Sequence, residues 1–187
     1  MSPLYPPERI EAPLVLPIVG WLSADPELAK KALEMLWPIL GPVAKRGPVR
    51  PFDWTDYYEK EHGGGLVRQY VAFGELVEPT DLVQLKHETA KIEKRFAEGT
   101  DRKVNLDPGY LDINKLVLAS WKEGLYKLYV GRGVWADPVA HYYEKGFHPP
   151  EWTFPDIRSG EHFEFFRWAR GLLKRLRREG RGRDSPS

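Results

Sequence analysis

Val104-Asn105-Leu106-Asp107-Pro108-Gly109-Tyr110-Leu111-Asp112-Ile113-Asn114-Lys115-Leu116-Val117-Leu118-Ala119-Ser120 is the stretch on which the fold turns. Val104 to Leu106 reads as a short strand. Asp107-Pro108-Gly109 reads as the turn that ends it, because proline presets φ and glycine supplies the tight corner. Asp112 then stands where an N-cap would, with Ile113, Leu116, Val117 and Trp121 at helical spacing behind it. The stretch therefore predicts strand, turn, helix.

Upstream, Leu14 to Leu22 is an apolar run of the length of a buried strand. Asp25-Pro26-Glu27 opens a helix: a capping side chain, a proline at the first helical position and an acid at the positive end of the dipole. Its stripe is Leu28, Ala32, Met35, Leu36 and Ile39, and Gly41 ends it, with Pro38 disturbing the last turn. Gly47 to Trp54 is extended and bounded by prolines, which suits a sheet edge, and Leu66 to Phe73 is a strand. Glu78-Pro79-Thr80-Asp81 opens a second helix with the stripe Leu82, Leu85, Thr89, Ile92 and Phe96. Downstream, Leu125 to Val130 and Val134 to Tyr143 form a hairpin about Arg132-Gly133, and Phe147 to Ile157 lies over a core surface. Glu161 to Arg178 is a closing helix.

This order predicts an α+β fold: a mixed or antiparallel sheet with helices mainly on one face. Its core would be a ferredoxin-like βαββαβ unit, followed by a C-terminal hairpin and helix. Residues 1–180 are expected to form one globular domain, and 181–187 a disordered basic tail.

Composition narrows the function classes. Lys and Arg number 28 and Asp and Glu 27, a net charge of +1, which carries no global argument for nucleic acid or a membrane surface. The absence of cysteine removes disulfides, thiolate nucleophiles and Cys-based zinc sites. The first thirteen residues lack the basic and apolar regions of a secretory signal, so the expected location is cytoplasmic. Two Asn and two Gln beside 17 Pro match the composition of proteins from hot environments. The five histidines have no metal spacing, and no G-x-S-x-G elbow occurs. Lys174, Arg175, Arg177, Arg178, Arg181 and Arg183 concentrate positive charge at a helix C-terminus, which complements its dipole or contacts RNA.

Two clusters carry candidate chemistry. Phe52 to His62 leads into Gly63-Gly64-Gly65, and Asp53 and Asp56 there could share a hard divalent ion such as magnesium. The same residues also read as a helix cap, packed tyrosines and a flexible turn. In the second cluster, Asp107 is a candidate metal ligand or general base, Asn105 a hydrogen-bonding orienter, and Lys115 a counter-charge for phosphate. It too has a local reading, as a β-turn satisfied by Asn105.

Four segments carry a resemblance. Pro51-Phe52-Asp53-Trp54-Thr55-Asp56-Tyr57-Tyr58, Val104 to Leu111, Lys115 to Ser120 and Trp152-Thr153-Phe154-Pro155-Asp156-Ile157-Arg158 resemble a prokaryotic family of unknown function. Its hallmarks are an NLDPGYL string and a preceding F-D-[FW]-T-D-Y-Y string, and the resemblance runs from Leu14 to about Phe166. The resemblance implies no established activity. Some members are described as GTP-binding, yet this chain has no G-x-x-x-x-G-K-[ST] loop, and Val117 stands where an NKxD string needs its aspartate.

The leading expectation is a protein that binds, or performs a metal-assisted reaction on, a small anionic or phosphorylated ligand. Asp53, Asp56 and Asp107 would hold magnesium, with Asp107 or Asp53 as catalytic carboxylate. Arg68 and Lys115 would face the anion, and Tyr57, Asn105 and Tyr110 would contact the ligand. The rival expectations are a non-catalytic module binding protein or RNA, and GTP binding without a P-loop.

Overall fold

Every residue of Leu16–Ser23 is buried, so this strand, β1, is covered on both faces. The computed structural model describes residues 12–53, 65–99 and 101–183, with side chains to residue 180. After β1 come α1 (Pro26–Glu34), α2 (Trp37–Leu40), β2 (Val43–Arg46), β3 (Arg50–Pro51) and β4 (Val67–Phe73). A 3-10 turn at Pro79–Asp81 leads into α3 (Leu82–Arg95). The second half is β5 (Asn105–Leu111), β6 (Lys115–Ser120), β7 (Leu128–Gly131), β8 (Val134–Tyr143), β9 (Gly146–His148), α4 (Pro155–Arg158) and α5 (Phe163–Arg183).

The strands form one antiparallel sheet in the order β2-β4-β1-β5-β6-β8-β7, with β3 also on β4 and β9 on β8. Alternation along β1 sorts the core into two layers. Leu16 and Ile18 pack with Phe165, Phe166, Ala169 and Leu173 of α5. Val19 and Trp21 pack with Ala29, Ala32 and Leu33 of α1 and Leu85 and Ile92 of α3. Helices therefore cover both faces, not mainly one. The cause is visible in β1, whose unbroken apolar run is the mark of a strand buried on both sides rather than on one.

The helix starts expected at Asp25 and Glu78 hold. Asp25 Oδ1 accepts from the backbone N–H groups of Glu27 at 2.9 Å and Leu28 at 3.0 Å, and Gly41 takes φ 68° where α2 stops. The break between α1 and α2 falls just before Pro38, which lacks the N–H a continuous helix would use. The last helix continues to Arg183, past its expected end, and 184–187 lie outside the described residues.

The 104–120 stretch departs from expectation. Asp107-Pro108-Gly109 is the middle of β5, and no helix follows Asp112. Asp112 instead closes a hairpin, its Oδ1 accepting from Asn114 N at 2.6 Å and Lys115 N at 2.7 Å. Leu116, Val117, Leu118 and Ala119 are all buried in β6, so their unbroken apolar character reflects a two-sided strand rather than a helical stripe.

β5 pairs with β1 along its whole length, from Leu16↔Leu111 to Leu22↔Asn105. With β6 it pairs only at Leu111↔Leu116, Tyr110↔Val117 and Gly109↔Leu118. Below Gly109 the two strands part. The Leu106 N–H, which points away from β1, is taken by Glu93 Oε1 of α3 at 2.6 Å. Two residues on, Pro108 faces the same way and has no N–H to donate. Neither position can continue the ladder to β6, and the sheet opens there.

Candidate functional site: a buried ion-pair network beside the split in the sheet

Three strands bring the charged groups together. Gly20 of β1 lies opposite Tyr70 of β4 on one side and Asp107 of β5 on the other. A β-carbon at Gly20 would sit 2.7 Å from Tyr70 Cε1 and 3.3 Å from Arg68 Nη1. The missing side chain is what allows Arg68, on β4, to reach over β1 to β5. Its Nη1 donates to Asp107 Oδ2 at 2.7 Å, and its Nε lies 3.5 Å from Asp156 Oδ2 at the start of α4. Tyr70 Oη donates to that same Asp156 oxygen at 3.0 Å. Asn105 Nδ2 donates to Asp107 Oδ2 at 2.8 Å, and Lys86 Nζ of α3 stands 3.7 Å from Asp107 Oδ1.

Arg68 and Asp156 are 4% exposed, while the Asp107 side chain keeps 25% of its surface, so Asp107 is the member that meets solvent. Burial works to raise the Asp107 pKa, but Arg68 and Lys86, with hydrogen bonds from Arg68 and Asn105, outweigh it and hold the carboxyl below its usual range. Burial also works against the Arg68 charge. The carboxylates of Asp107 and Asp156 reverse that, and its pKa lies above the ordinary value. Burial raises Tyr70, as does Asp156, so its phenol stays protonated as the donor to Asp156.

His162, at the foot of α5, packs edge-on against Tyr70 with ring centroids 4.8 Å apart. Burial, aided by Arg68 and Arg50 and opposed by Asp156, pushes its pKa down to about 4. A base whose folded pKa is depressed loses stability as pH falls, because the unfolded chain takes up the proton first. The window runs from the ordinary histidine value near 6.5 down to about 4, and the loss there is at most about 3 kcal/mol. Urea unfolding of the parent at pH 7 and pH 4.5 should show that loss, and His162→Phe should flatten the slope. An unchanged slope would mean His162 is already charged in the folded protein.

The split between β5 and β6 is a cavity of about 240 Å³. One wall carries Lys86, Glu93, Arg102, Asn105 and Asp107; the other carries Leu118 to Lys122, Lys127 and Asp137, and Phe154 closes an end. Lys127 Nζ lies 3.4 Å from Asp137 Oδ2 and donates to Ser120 Oγ at 3.0 Å. Burial raises the Glu93 pKa, against the pull of the Leu106 N–H and of Lys86.

Of the residues expected at a site, the structure gathers Arg68, Asn105 and Asp107. Lys115 lies at the far end of the hairpin, paired with Asp112, and half-buried Tyr110 packs beside Leu82 and Val117. Asp53 is exposed, and Asp56 and Tyr57 lie outside the described residues. Among the described residues no group of three His, Asp or Glu has the spacing to hold a metal. Asp107 is already balanced by two cations, which opposes a further one there. The anion facing Arg68 is thus the protein's own carboxylate pair.

Lys86, Glu93, Asp156, Lys127 and Trp121 were not foreseen as site residues. Lys86 and Glu93 did leave a trace, as charged residues seven apart beside the apolar stripe of α3. Asp156 sits inside the Trp152 to Arg158 string.

Three of the strings that carry the resemblance meet at Arg68. Asp107 comes from NLDPGYL and Asp156 from the Trp152 to Arg158 string. Phe52 comes from the earlier string, its ring centroid 5.2 Å from the guanidinium. No curated protein and no solved structure matches the chain. A family model described as a domain of unknown function, DUF4416, matches residues 13–172, and the chain belongs to that family.

Proposed function

We propose that the split between β5 and β6 binds a small anionic, phosphate-bearing ligand. The observation that carries this reading is the wall composition: Lys86, Arg102, Lys122 and Lys127 border one cavity. Three carboxylates, Glu93, Asp107 and Asp137, stand beside them. Four cations against three carboxylates, with the buried Arg68–Asp156 pair behind Asp107 adding no net charge, make the lining as a whole positive. Trp121 and Phe154 add flat apolar surface for an organic moiety. A carboxylate held below its usual pKa is a weak base at neutral pH, which suits Asp107 to orienting a donor on the ligand rather than abstracting a proton. Magnesium enters this reading as the counter-ion of the phosphate.

The scaffold reading that goes with it is a ferredoxin-like core of β1-α1-β2 and β4-α3-β5. The strand order β2-β4-β1-β5 and the shared face of α1 and α3 support it.

The test is a thermal-shift panel of inorganic phosphate, pyrophosphate and GTP, each with and without magnesium, against sodium chloride of equal ionic strength. A ligand at about 100 times its Kd adds roughly 2.7 kcal/mol to stability, a shift of several degrees. Lys86→Met and Lys127→Met should abolish the shift while leaving a cooperative transition. No shift beyond that of the salt control would sink the proposal.

A further inference from the structure

The two edges of the sheet are built differently. On the β4 side the edge strands are Val43–Arg46 and Arg50–Pro51, which carry Lys45, Arg46, Arg50 and Pro51. Charge and proline on an edge are the usual means of refusing another strand. The opposite edge, β7, is Leu128-Tyr129-Val130-Gly131 and carries neither. Among the described residues no strand pairs with its outer side.

The side chains there are apolar and uncovered. Leu125 is 88% exposed, Leu128 65% and Tyr129 59%, with Tyr126, Val130 and Trp152 between 41% and 53%. Tyr126 and Trp152 stack at 3.5 Å between centroids, which fixes a flat aromatic shelf next to the strand. Together these six side chains offer on the order of 700 Å² per chain, close to the roughly 800 Å² that each partner of a stable interface buries. Single exposed apolar residues are ordinary, but six of them gathered on and beside one open edge strand, over both its faces, are not.

We propose that two copies of this chain associate through β7, antiparallel about a twofold axis, so that their sheets join into one. Three observations favour a second copy as the occupant. An open antiparallel edge is self-complementary under a twofold, since each strand offers the other the same free N–H and C=O groups. The strand itself is uncharged, and the Lys127 ammonium beside it is turned onto Asp137 of its own chain. The apolar area per chain also matches what a dimer needs.

Light scattering on the full chain at about 100 µM should give twice the chain mass, with dissociation on dilution. Leu128→Lys should weaken the association by about 100-fold or more, and the exposure of that side chain predicts an unchanged circular dichroism spectrum. Because the chain has no cysteine, a single thiol gives a second readout. Of Leu128→Cys, Tyr129→Cys and Val130→Cys, at least one should oxidise rapidly to a disulfide-linked dimer, while exposed Tyr143→Cys should not. A monomeric parent, or a dimer that survives Leu128→Lys and cross-links no better at β7 than at Tyr143, would overturn the proposal.

Discussion

Arg68→Met should cost about 3–5 kcal/mol of stability, a large part of the 5–15 kcal/mol that holds a domain of this kind together. The guanidinium is 4% exposed and is the nearest cation to two carboxylates, 2.7 Å from Asp107 and 3.5 Å from Asp156. Methionine fills much of the same space, so the loss comes from stranding charge and not from a hole. The pH dependence separates the two causes. In the parent, Asp107 has a folded pKa below its unfolded value, so its contribution is present above the ordinary carboxylate range and is lost as pH falls through the folded value. Without Arg68, only Lys86 and the Asn105 hydrogen bond oppose the burial of Asp107, and its folded pKa moves up. The penalty of the variant is then felt at neutral pH and relieved as pH falls. Urea unfolding should give a larger difference between parent and variant at pH 7 than at pH 4. Adding Asp107→Asn and Asp156→Asn to Arg68→Met should recover much of the loss, because amides in those places cost far less to bury. A difference that is flat with pH and not relieved by the two amides would mean that Arg68 matters for packing alone.

The same network shows what could be read from the sequence. Three helices were legible because each announces itself locally, α1 by the cap of Asp25-Pro26-Glu27 and α3 and α5 by stripes of period near 3.6, as was the β7-β8 hairpin by Arg132-Gly133; α4, inside the stretch read as a connection, was not. The 104–120 stretch was not, because its cues are local and its cause is distant. Asp-Pro-Gly is a turn wherever nothing else claims it. Here β1 claims it, pairing with all seven residues of β5, and α3 supplies the carboxylate that takes the Leu106 N–H. Reading Asp112 as a helix cap then misplaced Lys115, which the helix would have brought near Asp107 and the hairpin places across from Asp112, five residues or about 17 Å further along the strand. Asn105 and Asp107 were picked out as polar residues at a strand end, and Arg68 as a cation to face an anion. Asp156, 49 positions after Asp107, could be joined to them only by the packing of α4 against the sheet.

Gly109→Ala should be as damaging as the loss of Arg68, through geometry instead of charge. Gly109 is the last residue of β5 to pair with β6 before the strands part. A β-carbon there would stand 2.2 Å from Val117 O, 2.6 Å from Leu118 Cδ2 and 3.1 Å from Leu118 Cα. Two of these are backbone atoms, so no rotamer change relieves the overlap, and β6 itself has to move. It cannot move freely, because β8 pairs with it from Lys115 to Ser120 and its four central residues are buried. A loss of about 3 kcal/mol, at the upper end for overpacking, is therefore expected. Gly171→Ala is the matched control. That glycine lies inside α5 with nothing within 4 Å of an added β-carbon, and alanine there should stabilise by up to about 1 kcal/mol through helix propensity. Chemical denaturation of the two variants should move in opposite directions. Hydrogen exchange should place the Gly109→Ala damage in the β6 amides, with α1 protected nearly as in the parent. A loss under about 1 kcal/mol would mean that β6 already stands further off at this point. The split would then begin above Gly109, and Lys127 and Ser120 would be too far from Asp107 to share one ligand with it.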